Sequence, residues 1–225
     1  MQLYIANKNY SSWSLRPWLL MTHAGIAFEE VRLRLNFEAG SDFKEALSHV
    51  APTGRVPVLI DEGFAVWDTL AIAEYLAEKF PALHLWPADT QARARARSLC
   101  AEMHAGFGAL RNNFPMNIEA SLPEVGQRIL ATDAAAVADL QRIGEMWSGQ
   151  LATSGGPFLF GEFSIADAYF APVCARAKTY ALPLPAEAAG YAERILSLPA
   201  MRAWSEAALA EHDFIPADEP YRTQA

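Results

Sequence analysis

Cysteine is scarce in this chain. Only Cys100 and Cys174 occur among 225 residues; each lies in a stretch of helical periodicity, and they form neither a CxxC pair nor a disulfide framework. Dithiol exchange and thiolate-held zinc lose their ligands, no metal is expected, and both residues read as small buried hydrophobes. Long apolar runs are missing too. No segment approaches the roughly 20 residues that cross a bilayer, and the opening MQLYIANKNY lacks the apolar stretch of a secretion signal, so no membrane partner and a cytoplasmic location are expected. Nor is there an excess of positive charge: the formal net charge of -8 repels phosphate backbones and argues against nucleic acid as a partner. No internal repeat or low-complexity tract is present.

What is present suffices for a core. Hydrophobic residues make up 52% of the chain and charged residues 20%, spread along it, so a folded globule is expected with only the last dozen residues loose. The leading part alternates short β-like runs with helical stretches. Leu3 to Ala6 reads as a strand, and the polar loop Asn7 to Trp13 leads to a helix beginning near Ser14, with Pro17 in its first turn and Gly25 as its stop. Phe28 to Leu33 reads as a second strand, and Asp42 with Glu45 forms a capping box for a short helix. Val58 to Ile60 and Phe64 to Trp67 form a tight hairpin, and Asp68 and Thr69 supply the N-cap of the periodic segment after them.

This βαβαββα order fills residues 1–80. A proline-bearing linker, 81–88, separates it from 89–225, where the apolar spacing is helical throughout: Leu99, Met103, Phe107, Leu110 and Phe114 recur at three or four residues, as do Val137, Leu140, Ile143 and Trp147. Ser164 and Asp167 form a second capping box, structural in role, opening a helix that Pro172 should bend. Trp18, Trp67, Trp147 and Trp204 read as core or interface residues.

Four motifs in this order carry a resemblance covering nearly the whole chain: NYSSWSLRPWL after the first strand, Val56-Pro57 before the third, Trp67-Asp68-Thr69-Leu70-Ala71-Ile72 at the third helix, and Ser164-Ile165-Ala166-Asp167. Together they resemble the cytosolic glutathione transferases of the serine type, most closely the zeta and theta-like bacterial members. The resemblance implies a thioredoxin-like domain followed by an all-α domain, glutathione and a small electrophile as substrates, and a homodimer with the first domain of one subunit on the helices of the other. Trp13 stands where the zeta class has its cysteine, a departure that bears on maleylacetoacetate isomerisation and not on glutathione binding.

A thiol is mostly protonated at neutral pH, so such an enzyme must stabilise the glutathione thiolate. A serine hydroxyl beside a helix N-terminus supplies a donor and a favourable dipole. The zeta resemblance places this role on Ser11 and theta-like spacing to Arg16 places it on Ser12, which is set first. The resemblance further implies that Val56, before a cis Pro57, pairs with the cysteinyl backbone of glutathione, and that Asp68 and Thr69 hold its γ-glutamyl ammonium and carboxylate. Arg55 is a candidate for the glycyl carboxylate, and Trp13 joins the same site. His104, Gly108 and Arg111 share a helix face by spacing, beside Phe107 and Phe114, as a candidate electrophile pocket. The rival reading is a binding or regulatory protein of the same fold with little turnover.

Overall fold

Four short strands form one mixed sheet in the computed structural model, which describes residues 1–222. β1 (Gln2–Ile5) pairs in parallel with β2 (Glu29–Arg32) and antiparallel with β3 (Val58–Asp61), whose far edge carries β4 (Phe64–Trp67). The parallel pair needs a crossover, which α1 (Ser12–His23) supplies. The β3–β4 hairpin turns on Glu62 and Gly63, both at positive φ (50° and 84°), the backbone of a primed two-residue turn. With α2 (Asp42–Ser48) and α3 (Thr69–Lys79) the order is the expected βαβαββα. The cap of α2 is Ser41, whose Oγ accepts from the Lys44 N–H at 3.4 Å. Asp42 and Glu45 instead occupy the first turn, where negative charge meets the positive end of the helix.

After a short 3-10 turn, Pro81–Leu83, only helices follow among the described residues. They are α4 (Thr90–Ala105), α5 (Gly108–Asn113), α6 (Pro123–Thr132), α7 (Ala134–Ser154), α8 (Ile165–Thr179), α9 (Ala186–Ser197) and α10 (Pro199–Leu209). Helix α8 runs unbroken through Pro172 and is buried on almost every face, the mark of a helix at the centre of its bundle. Its N-terminus is tied down by Asp167, which is 0% exposed and accepts from Ser164 N at 2.8 Å, Ser164 Oγ at 3.0 Å, Leu159 N at 3.1 Å and Tyr191 Oη at 3.0 Å. Every residue of α1 from Ser14 to Met21 is buried because the helix is wedged between the sheet and α8. One apolar core therefore runs from Leu3 and Leu59 through Leu15 and Leu19 to Phe170, Trp147 and Trp204. Trp18 belongs to it as well, whereas Trp67 is 41% exposed on β4.

The chain after α10 is not loose. Glu211 accepts from the Lys8 N–H at 2.8 Å and pairs with Arg32, and Asp213 accepts from Asn7 at 3.0 Å and from both Nε and Nη2 of Arg34. Tyr10 donates its hydroxyl to Glu219 at 2.7 Å, Ile215 is buried against the outer sheet face, and Tyr221 donates to the Asn113 carbonyl. Of the last dozen residues, expected to be loose, Ile215, Glu219 and Tyr221 are thus anchored, continuing a strap across the β1–α1 loop that begins with Glu211 and Asp213, whose carboxylates satisfy N–H groups of that loop. Residues 223–225 lie outside the described residues.

Candidate functional site

Two cavities meet where α1 begins. The first, of about 320 Å³, is bordered by Trp13, Arg55, Val56 and Pro57 on one side and by Asp68, Thr69, His104 and Arg111 on the other, with Thr53 and Trp67 at its rim. The Val56–Pro57 peptide is cis. Asp68 sits at φ 75° and ψ 135°, a conformation that costs a non-glycine residue of order 1–3 kcal/mol and recurs at functional sites. One of its carboxylate oxygens caps α3 by accepting from the Leu70 N–H at 2.8 Å. The other lies 3.2 Å from His104 Nε2. Next to it Thr69 is buried, its Oγ1 2.7 Å from Tyr169 Oη, and that phenol is 3.2 Å from His104 Nδ1. Thr69, Tyr169 and His104, from α3, α8 and α4, are thus joined by hydrogen bonds, with Asp68 at ion-pair distance from the histidine, beside a helix N-terminus suited to a carboxylate.

The second cavity, of about 460 Å³, shares Trp13, Arg55, Val56 and Arg111 with the first and adds Ser11, Ser12, Met116, Arg176 and Asp218. The two serines differ in what they have left to give. Ser11 is the N-cap of α1: its oxygen accepts from the Ser14 N–H and its hydroxyl donates to Ser14 Oγ at 2.8 Å, which in turn accepts from the Ala6 N–H. Ser12 opens the first turn, and among the described residues nothing in the protein engages its hydroxyl.

Positive charge accumulates around this cavity without matching negative charge. Arg176 is buried, donates Nε to the Phe114 carbonyl at 2.7 Å and leaves Nη1 with no partner. Burial, reinforced by Arg16 and Arg111, pulls its guanidinium down to about 9, which leaves it cationic at neutral pH. Arg16, buried behind Trp13 with its centre 4.2 Å from that ring, donates Nε to the Tyr169 carbonyl and likewise leaves Nη1 unpaired; burial pulls it down to about 10. Arg111 packs 5.2 Å from the other part of Trp13 and donates Nη1 to the His104 and Gly106 carbonyls, closing the end of α4. Among the described residues none of the three has a recorded ion pair with a carboxylate. Asp218 is the acidic residue lining this cavity. Its Oδ2 is buried without a partner, and burial, then Glu219, raises its carboxyl above the ordinary range.

The candidate residues Ser11, Ser12, Trp13, Arg55, Val56, Pro57, Asp68, Thr69, His104 and Arg111 are thus brought to these two cavities. Phe107 and Phe114 are not. The helix read as continuous through residue 114 breaks at Gly106, Phe107 takes a left-handed φ of 56° as the cap of α5, and both rings turn into the core. Gly108 lines neither cavity. Trp67 is not a core residue; it is partly exposed and borders the first cavity. Arg176 and Tyr169 were missed because both lie on α8 in a run that reads as core, and only α8's packing against α1 carries them to the site.

Residues 10–79 match the family model described as glutathione S-transferase, N-terminal domain, and residues 91–207 match glutathione S-transferase, C-terminal domain. The maleylacetoacetate isomerase of Mus musculus is 30% identical over 188 residues, which span 81% of this chain and 80% of that protein. A solved glutathione transferase of Methylococcus capsulatus str. Bath aligns with a TM-score of 0.68 at 25% identity, covering 93% of this chain and 98% of that one. The maleylacetoacetate isomerase of Methylobacterium extorquens AM1, solved with malonate and glutathione, shares the fold with a TM-score of 0.67 at 24% identity over 91% of this chain and 96% of its own.

Proposed function

The chain belongs to the glutathione S-transferase family, and from that premise we propose that it uses glutathione to attack a small electrophile bearing a carboxylate, isomerising it through a transient adduct or retaining the conjugate. Glutathione takes the first cavity, with its γ-glutamyl end at Asp68 and Thr69, its cysteinyl backbone along Val56 and its glycyl carboxylate toward Arg55. Its sulfur then falls at the shared wall, beside Ser12. The free hydroxyl of Ser12 donates to the thiolate, while Ser11, spent on the helix cap, shapes the turn.

The observation that carries the substrate class is Arg176, buried on the second cavity near Arg111 with its Nη1 unpartnered and no ion pair to a carboxylate among the described residues. A buried guanidinium with an unused N–H donor is costly unless an anion arrives, and a planar carboxylate fits its fork. When the thiolate adds to an alkene conjugated with a carbonyl, the electron pair moves onto the carbonyl oxygen and these cations stabilise it. The former double bond then rotates as a single bond and the thiolate leaves, or a proton from water completes the conjugate. The isomerase name of the mouse relative agrees with the first outcome. A homodimer is part of the reading, supported by the family and by Phe64, 64% exposed at the start of the edge strand β4.

Kinetics on two acceptors test this. Ser12→Ala is expected to lower kcat about a hundredfold on both a maleyl keto acid and an uncharged aryl halide, the usual loss for one donor to a developing or bound anion. Arg176→Leu is expected to raise KM at least about tenfold for the keto acid alone. Equal effects of Arg176→Leu on the two acceptors would remove the carboxylate reading, and absence of glutathione turnover in the parent protein would favour the rival binding protein.

A further inference from the structure

The chain Asp68–His104–Tyr169–Thr69 has a direction, set by which groups must donate. Asp68 offers only acceptors, and its Oδ2 lies at ion-pair distance, 3.2 Å, from His104 Nε2, where a bare ring nitrogen would be repelled, so Nε2 carries the proton. In the neutral ring Nδ1 is then bare and accepts from the Tyr169 hydroxyl at 3.2 Å, which leaves Tyr169 Oη to accept from Thr69 at 2.7 Å. The Thr69 hydrogen points away from the cavity in that state, and only oxygen lone pairs face a ligand. In the imidazolium both nitrogens donate. Nδ1–H then donates to Tyr169 Oη, the phenol donates to Thr69, and the Thr69 hydrogen is released toward the cavity.

We infer that Tyr169 and His104 are positioning residues which set whether Thr69 presents an acceptor or a donor to the γ-glutamyl carboxylate, so that protonation of His104 favours glutathione binding. This rests on the placement of glutathione proposed above. Burial raises the Tyr169 phenol far above its ordinary value, so it keeps its proton throughout and acts only as a relay. The groups facing His104 are few. Asp68 comes from the β4–α3 junction and Tyr169 from α8. Arg111 of α5 holds the His104 carbonyl, Arg16 of α1 reaches Tyr169, and Trp13 of α1 meets the imidazole ring edge-on at 5.2 Å.

S-methylglutathione separates this relay from thiol ionisation, because it carries the γ-glutamyl group and no acidic sulfur. Its Kd, measured by calorimetry from about pH 5.5 to about pH 8, is expected to be about tenfold tighter at the acidic end in the parent protein, the value of one hydrogen bond to a charged acceptor. Tyr169→Phe frees the Thr69 hydroxyl at every pH, so it should bind with no such pH dependence and tighter than the parent protein at the alkaline end. A phenol that merely packs the site would weaken binding uniformly when removed, and that result would overturn the inference. His104→Gln, checked for folding by circular dichroism, should also flatten the profile; a slope that survives in it would overturn the inference as well. Parent protein that binds at every pH with no slope would sink the relay and leave the glutathione reading standing. No binding at any pH would sink both.

Discussion

Of the helix N-termini that carry an aspartate in the cap or first turn, those of α8 and α3 are put to opposite uses. At α8, Asp167 is fully buried and takes four donors, so nothing remains for a ligand. At α3, Asp68 accepts one backbone N–H, is held at positive φ, and turns its second oxygen to a cavity through a histidine. Both lie at the start of a helix, and residue type does not separate the two. Spare hydrogen-bonding capacity, strain and exposure do, because a site must keep unspent what a structural cap consumes.

The comparison breaks most visibly at Asp167. Asp167→Ala would strand the N–H groups of Leu159 and Ser164 and the Tyr191 hydroxyl in the core, a loss of about 3–5 kcal/mol in urea unfolding, and a variant within about 1 kcal/mol of the parent would end the structural reading of that cap. Asp68 should behave in the reverse way. Asp68→Gly suits a φ of 75° and a glycine cap costs only a few tenths of a kcal/mol, so stability should hold while the Kd for glutathione rises about tenfold or more; unchanged affinity would show that the carboxylate touches nothing on the ligand.

A third carboxylate lies between these extremes and should give the smallest effect. Asp61, at the end of β3, pairs with Lys79 and accepts from Tyr75 at 2.6 Å, and those two partners hold it below the ordinary carboxylate range. Because its folded value is depressed, the stability it contributes is present above the unfolded value of about 3.9 and is lost as pH falls through the folded one. The gap in urea midpoint between the parent protein and Asp61→Asn should therefore be largest near neutrality and shrink on acidification. A gap independent of pH would show that the ion pair contributes nothing.

Local signals carried much of the fold in the sequence. The β3–β4 hairpin, the Asp68 cap and the Ser164–Asp167 box are written within a few residues of chain, and the structure returns them close to where the spacing puts them. The break between α4 and α5 was hidden because its apolar spacing runs smoothly through Gly106 and Phe107. Most of the residues now gathered at the two cavities were legible as short motifs. The relay through Tyr169 and the unpaired Arg176 were not, since each depends on α8 meeting segments some 60 to 150 positions away. Nor does composition reveal the strap, as an acidic tail resembles any solvated terminus until its partners are seen.

That strap bears on how the protein is made. The loop bearing Ser11 and Ser12 leaves the ribosome some 200 positions before Glu211, Asp213 and Glu219, which fasten it. During translation the sheet and its helices are free to form first, while the loop between β1 and α1 stays unfastened until Glu211 and Asp213 emerge, so the fold can form before the proposed site is set.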